Sequence, residues 1–104
     1  MLNEYKTTLN PRQKAQLKSL ANPISQRYLL GKAEVDEGFL MLIDKALEAK
    51  ELIKVGLLQN ATSTPQEVAH ILETRLRADI VQIIGRVIVL YRRSQKNPVI
   101  ELVR

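Results

Sequence analysis

Near the C-terminal end, the stretch IVQIIGRVIVLYR limits the possible folds more than any other part of the chain. Residues 80–84 and 87–92 are rich in β-branched residues, and only Gly85 and Arg86 separate them. Glycine at the first central position suits a type II′ turn, so the two runs are predicted to pair as an antiparallel hairpin. Nearly every residue of both runs is apolar, which is typical of strands covered on both faces. The sequence therefore predicts a sheet that is at least partly covered on each side.

Upstream of the hairpin, three helical patterns alternate with two strand patterns. The first helix is predicted between two Asn-Pro pairs, at residues 10–11 and 22–23. Thr64, Pro65 and Glu67 form the pattern of a capping box, which predicts the start of the third helix. The other predicted elements are a strand over residues 24–30, a helix from Asp36 to about residue 50, and a strand over residues 51–58.

Apolar residues recur at helical spacing and predict which helix faces are buried. These positions are Leu17, Leu20 and Ala21 in the first helix, Phe39, Leu40, Leu42, Ile43, Ala46 and Leu47 in the second, and Val68, Ile71, Leu72 and Leu76 in the third. If both β-α-β crossovers are right-handed and run in the same direction, the second and third helices share one sheet face. The first helix is then available for the other face. The predicted fold class is α/β, or α+β in two to three layers, with the order α-β-α-β-α-β-β and a four-stranded mixed sheet.

The chain has 104 residues, of which 45% are hydrophobic, and this combination predicts one folded domain over residues 1–104. Its core is expected at about residues 10–93, with a flexible N-terminal segment 1–9 and a C-terminal tail 94–104. The tail is expected to be loose or to add a short edge strand. The N-terminal residues MLNEYKTTLN lack the apolar stretch of a secretory signal, and the apolar run at 39–43 is too short to span a bilayer. We therefore expect a cytoplasmic protein without a membrane partner.

Catalytic and metal-binding patterns are lacking in the sequence. There is no cysteine, and the one histidine, His70, is predicted on the polar side of the third helix, so a typical zinc site is excluded. Asp44 and Glu48 are four residues apart and could in principle do acid–base work, but a solvated helix face is the favoured interpretation. No glycine-rich nucleotide fingerprint occurs. We expect no enzyme, no cofactor, no metal and no small-molecule substrate.

Positive charge is the feature that points to a partner. The net charge is +5, which favours a polyanion such as nucleic acid or a membrane surface. Each basic residue alone could simply be solvated, but together they could form a track for a phosphate backbone. Tyr91 could stack on a base, although a core position is favoured. The basic residues concerned are Arg12, Lys14 and Lys18 on the first helix, Lys32 in the loop after the first strand, and Arg92 and Arg93 at the end of the last strand.

Three blocks of sequence resemble the YhbY-like family, also called the CRM domain, for chloroplast RNA splicing and ribosome maturation. They are RQKAQLKSLANPI at residues 12–24, ALEAKELIKV at 46–55 and VQIIGRVIVLYR at 81–92. The second block is similar to the family's "ALE…ELIKV" and the third to its "VQ.IG..IVLYR". The resemblance implies a fold like the C-terminal domain of translation initiation factor three and RNA binding without catalysis. Bacterial members of the family associate with precursors of the large ribosomal subunit.

The resemblance also implies a GxxG loop after the first strand, similar to the loop with which KH domains clamp a nucleic-acid backbone. The matching positions are Gly31, Lys32, Ala33 and Glu34. Glu34 stands where the second glycine is usual, so a side chain and a negative charge intrude there. If Glu34 faces RNA, its removal should tighten binding. If it instead lies beside the start of the second helix, its removal should cost stability.

The sequence thus predicts a monomeric bacterial RNA-binding protein, a ribosome assembly factor that binds large-subunit ribosomal RNA precursors in pre-large-subunit particles. The predicted RNA-contacting residues are Arg12, Lys14, Lys18, Gly31, Lys32, Ala33, Glu34, Lys54, Arg92 and Arg93, with no catalytic and no metal-binding residues. The alternative is a protein-interaction module that docks on a ribosomal protein or an assembly GTPase through its sheet edge or its helices.

Overall fold

The predicted order of elements is confirmed in the computed structural model, which describes residues 7–32 and 34–104. The helices are α1 (Pro11–Ala21), α2 (Glu37–Lys50) and α3 (Pro65–Leu76), and the strands are β1 (Tyr28–Leu30), β2 (Leu52–Leu57), β3 (Asp79–Ile84) and β4 (Val87–Tyr91). The first strand is shorter than the predicted range 24–30. Ile24 belongs to the turn after α1, because its N–H donates to the Ala21 carbonyl at 2.9 Å.

Side chains cap the start of each helix. Thr64 and Glu67 form the predicted capping box of α3, and Asp36 Oδ1 accepts from the Phe39 N–H at 2.8 Å at the start of α2. A second capping box at α1 joins Asn10 and Gln13: Asn10 Oδ1 accepts from the Gln13 N–H at 2.8 Å, and Gln13 Oε1 accepts from the Asn10 N–H at 3.0 Å. The Asn10-Pro11 pair predicts the start of this helix, whereas the reciprocal bond from Gln13 is seen only in the structure. These bonds satisfy backbone donors that the first helical turn leaves unpaired.

The strand order in the sheet is β1-β2-β4-β3. β1 and β2 are parallel, and β4 is antiparallel to both of its neighbours. The closing hairpin is confirmed, with Gly85 at a φ of +58° and Arg86 at a negative φ, as a type II′ turn requires. The second strand of the hairpin, β4, pairs with β2, so the first strand of the hairpin, β3, lies at the edge of the sheet.

Helices cover both faces of the sheet, and the predicted distribution is confirmed. α2 and α3 pack on one face, where Ile43, Leu47 and Leu72 are fully buried against β2 and β4. α1 packs on the other face through Leu17 and Ala21.

Two of the predicted core positions are wrong. Leu20 is 43% exposed and Leu42 is 48% exposed. Leu20 lies about a quarter turn, and Leu42 nearly a third of a turn, around its helix from the middle of the buried stripe, which is therefore narrower than the apolar pattern suggested. The favoured interpretation of Tyr91 is correct, because it is only 4% exposed and belongs to the core beneath α1.

The tail, residues 94–104, forms no strand and lies against α1 and the end of β4. Ile100 and Leu102 pack on the core beneath α1. The Gln16 side chain binds the tail backbone in two directions: its Nε2 donates to the Glu101 carbonyl at 2.7 Å and its Oε1 accepts from the Val103 N–H at 2.8 Å. The tail thus makes specific contacts at one flank of α1.

Candidate nucleic-acid interface

The position of the tail establishes how α1 presents its basic residues. Gln13 and Gln16 face the tail, since both donate to its carbonyl groups, and Leu17 is buried against the sheet. With 3.6 residues per turn, Lys14 and Lys18 fall on the opposite flank of α1, one above the other. We call this side the basic flank.

α1 and the tail cover only part of the sheet face on which they lie. The residues beneath them are Leu52, Val81, Val89 and Tyr91, near the start of β2 and the end of β4. Further along the strands, the register aligns one residue from each strand on the same face: Leu29 pairs with Gly56, Gly56 with Val87, and Val87 with Ile84. We call these four residues the open row, because the two end residues, Leu29 and Ile84, are each 57% exposed, whereas Val87 is half-buried and Gly56 is buried.

The basic flank faces the open row. The tail binds at the end of the sheet where β2 begins, since Glu51 accepts hydrogen bonds from the backbone of Val99 and Ile100. The open row lies toward the other end of β2. Because Lys14 and Lys18 are on the flank of α1 that points away from the tail, they point toward the open row.

The loop after β1 borders the same area. Leu58 continues the pairing of β2 through its N–H, which donates to the Leu30 carbonyl at 2.9 Å. Its Cδ1 lies 3.4 Å from the position that a Cβ on Gly31 would occupy, so the start of the loop packs beside an exposed leucine. Lys32 and Glu34 are both exposed, and Ala33 lies outside the described residues. The loop therefore presents its charged side chains to solvent beside the open row.

Two further arginines, which are not among the residues predicted from the sequence, also lie here. The Arg27 side chain lies across Gly56, with its Cδ 3.4 Å from the position of a Cβ on that glycine. Arg86, in the hairpin turn, donates from Nη2 to the Leu58 carbonyl at 2.8 Å. Strand alternation could have identified Arg27, because it is two residues from Leu29 and so falls on the same face. Arg86 could not have been placed without the strand order.

Two of the predicted RNA-contacting residues already have partners within the fold. Lys54 donates from Nζ to the Ile24 carbonyl at 2.8 Å and so joins β2 to the turn after α1. Arg92 donates to Asp44 Oδ1 at 2.8 Å and to the Leu76 carbonyl at 3.1 Å, and its side chain is only 22% exposed. Arg12 is exposed on α1, and Arg93 is exposed next to the tail. Lys14, Lys18 and the loop therefore border the same side of the open row, whereas Arg92 and Arg93 lie apart from it.

The carboxylates of α2 lie on a partly exposed helix face, as favoured from the sequence, and they also have partners within the fold. Asp44 pairs with Arg92, and Glu48 accepts hydrogen bonds from Ser94 Oγ at 2.7 Å and from the backbone N–H groups of Gln95 and Lys96. These bonds, with the Ser94 hydroxyl the strongest influence, lower the pKa of Glu48 to about 2. His70 is exposed on α3, as predicted. Within residues 7–32 and 34–104, no group of three or more acidic or histidine side chains could hold a metal ion.

The described helices include none with the length and apolar character needed to cross a bilayer.

A comparison with known protein families identifies the family of this fold. The model of the CRS1 / YhbY (CRM) domain matches residues 9–92, which include α1, the loop after β1 and all four strands. The chain belongs to the CRM domain family. The predicted family membership is thus confirmed.

The relatives of this CRM domain carry RNA-related names. "Probable RNA-binding protein YqeI" of Bacillus subtilis is 42% identical over 94 residues, which are 90% of this chain and 98% of that protein. A protein of Haemophilus influenzae named "RNA-binding protein" is 38% identical over 90 residues, or 86% of this chain and 91% of the relative. The solution structure of the hypothetical protein SAV1595 from Staphylococcus aureus is 42% identical, has a TM-score of 0.75, and is aligned over 92% of this chain and 100% of that one.

Proposed function

We propose that this CRM domain binds RNA through the basic flank of α1 and the loop after β1. The support for the proposal is that Lys14 and Lys18 lie on the flank of α1 away from the tail, toward the open row, which the loop that carries Lys32 also borders. Within the part of the chain that the structure describes, these three lysines have no ion pair, so their charges are available to phosphate groups. The net charge of +5 acts in the same direction at longer range.

The proposed interface revises the set of residues predicted from the sequence. It keeps Lys14, Lys18, Gly31 and Lys32, with Glu34 as an acidic neighbour. Arg12 stays a predicted contact, although its position two residues from Lys14 puts it on a different side of α1 from the basic flank. The proposed interface leaves out Lys54 and Arg92, because moving either side chain to RNA would break hydrogen bonds within the fold. Arg93 is left out because it lies beside the tail. Ala33 stays a predicted contact outside the described residues.

The proposed role is assembly of the large ribosomal subunit, in the cytoplasm, by a monomer that binds precursor ribosomal RNA and does no bond chemistry. The supporting argument is the family membership together with a surface that offers cations. Binding would hold or protect a local RNA structure during assembly. Docking on a ribosomal protein or an assembly GTPase is the alternative.

A filter-binding titration against structured ribosomal RNA at several salt concentrations tests the RNA part of this proposal. We expect measurable affinity at low salt, with a steep linear fall of log affinity against log salt, because each bound phosphate releases a counterion. No measurable binding at low salt would contradict it.

Sedimentation of the tagged protein with ribosomal precursors, followed by crosslink mapping, tests the proposed role. We expect co-sedimentation with large-subunit precursors and crosslinks to ribosomal RNA. A protein that purifies free of nucleic acid, and whose crosslinks on the particle are only to protein, would favour the alternative.

A further inference from the structure

We propose that the open row (Leu29, Gly56, Val87 and Ile84) is a binding site for an unpaired RNA base, so that this domain binds single-stranded RNA better than duplex. The inference rests on the proposed RNA-binding function and adds the class of RNA that the site accepts. The phosphates beside the bound base would lie along the basic flank and the loop.

The shape of the open row suits the flat face of a base. Its four positions lie on one sheet face and, at about 4.8 Å between neighbouring strands, extend over about 14 Å. Gly56 has no side chain, and Leu29 Cδ2 and Arg27 Cδ lie within 3.4 Å of the place where its Cβ would be. The row is therefore exposed at its two ends, through a leucine and an isoleucine side chain, and the Arg27 side chain covers its middle at Gly56.

The residues around the open row indicate RNA as the occupant. Lys14 and Lys18 lie on one side of it, and Lys32 lies in the loop at the end of β1. Arg27 crosses the row itself, and a guanidinium plane can stack on an unpaired base. An apolar surface bordered by cations is complementary to a chain that alternates flat bases with phosphates.

The same charges disfavour a second copy of this chain as the occupant. A symmetric contact through the open row would bring the basic flanks and loops of two copies toward each other. Like charges placed across an interface cost free energy. An RNA duplex is also a poor occupant, because its bases are stacked and paired and present no free face to the sheet.

The test compares binding of a single-stranded oligonucleotide of about 12 nucleotides with binding of a duplex of the same length, by fluorescence anisotropy. Leu29→Ser and Ile84→Ser each remove an exposed end of the open row, and both are expected to fold because each side chain is 57% exposed in the wild type. We expect each to weaken single-strand binding about fivefold, with the slope against salt and the duplex affinity unchanged. Met41→Ser is the matched control, because Met41 is 59% exposed on α2, on the other side of the sheet.

The possible results separate this inference from the function on which it rests. If the wild type binds neither RNA, the proposed function fails and the inference with it. If the wild type binds RNA and Lys14→Ala lowers the salt slope, but the two serine variants bind like the wild type, only the open row is wrong. An equal loss of duplex affinity in the serine variants would also overturn the inference about the open row. So would the finding that the wild type is a dimer and that Leu29→Ser converts it to a monomer.

A photocrosslinking experiment on the wild type gives a result that does not depend on how the variants fold. A single-stranded oligonucleotide that carries 4-thiouridine is irradiated with the protein, and the crosslinked peptide is identified by mass spectrometry. We expect crosslinks within residues 27–32 or 82–87. Crosslinks confined to other regions would overturn the proposal.

Discussion

Lys32 is the basic residue with the simplest environment in the proposed interface. It is exposed in the loop after β1, and among the described residues it has no ion-pair partner. Its contribution to binding should therefore be a single charge contact to phosphate, with little effect on the fold.

We expect Lys32→Ala to weaken RNA binding and to reduce the slope of log affinity against log salt by about one unit, because one fewer counterion is released. The measurement is the filter-binding titration repeated at several salt concentrations. Lys45→Ala is the control, because Lys45 is exposed on α2, across the sheet from the interface. An unchanged slope would remove Lys32 from the site.

Glu34 is the residue by which this loop departs from the family pattern. The structure gives the capping of α2 to Asp36, whose Oδ1 accepts from the Phe39 N–H, while Glu34 is exposed two residues earlier. Its carboxylate therefore has no capping bond to lose, and its main effect should be repulsion of phosphate.

We expect Glu34→Gln to tighten RNA binding about threefold at low salt, with a smaller effect at high salt where the repulsion is screened. The temperature of thermal unfolding should stay close to that of the wild type. A lower unfolding temperature with unchanged affinity would show that the negative charge supports the start of α2 instead.

At the level of elements, the tail is held by two carboxylates at the end of α2. Glu51 is 2% exposed with a φ of +67°, and its carboxylate accepts from the N–H groups of Ser94, Val99 and Ile100 at 2.8–2.9 Å. Burial alone would raise the pKa of Glu51, but these backbone hydrogen bonds outweigh it and the pKa is lowered. Glu48 holds the start of the tail in the same way.

The tail contacts should make stability depend on pH in the acid range. Because the folded pKa of Glu48 is lowered from 4.5 to about 2, its ionised form stabilises the folded state above pH 4.5, and this stabilisation is lost as the pH falls toward 2. The lowered pKa of Glu51 acts in the same direction. We expect the unfolding temperature, measured by circular dichroism, to fall through this range.

Two variants distinguish this cause from general acid denaturation. Glu48→Gln should lower stability at neutral pH and make the loss between pH 4.5 and 2 smaller, since one of the titrating groups is gone. Glu101→Gln should keep the wild-type pH dependence, because the Glu101 side chain is exposed and only its backbone carbonyl binds Gln16. The same acid profile in all three proteins would contradict the role of the tail.

At the level of the whole molecule, β2 and β4 belong to both cores. Ile53 and Leu90 face α2 and α3, while their neighbours Leu52 and Val89 face α1. Loss of packing on one face should therefore disturb the strands that support the other, so the sheet and the helices on its two faces should unfold as one cooperative domain.

We expect Leu17→Ala, beneath α1, and Leu47→Ala, on the opposite face, each to cost about 3 kcal/mol of unfolding free energy, because both side chains are fully buried. Urea unfolding followed by circular dichroism and by tyrosine fluorescence should show one coincident transition in each variant. A transition that separates into two in Leu17→Ala would indicate that α1 and the tail unfold independently.

The sequence alone was sufficient for the features that depend on neighbours along the chain. Helix starts at Asn10, Asp36 and Thr64 follow from capping chemistry, and the turn at Gly85 follows from its tolerance of positive φ. The spacing of apolar residues, with a period of 3.6 residues in helices and of 2 in strands, predicted most of the buried faces. The blocks of family sequence were enough to predict an RNA-binding CRM domain.

Only the tertiary structure decided which basic residues are available and what lies between them. In the sequence, nothing distinguishes Lys54 and Arg92 from the other basic residues that were predicted to contact RNA. Their partners in the fold, Ile24 and Asp44, come from distant segments of the chain. The open row depends on β4 lying between β2 and β3 and on α1 covering only one end of the sheet. Local rules determine whether a segment is a helix or a strand, whereas the surface it shares with other segments results from long-range packing that no local pattern encodes.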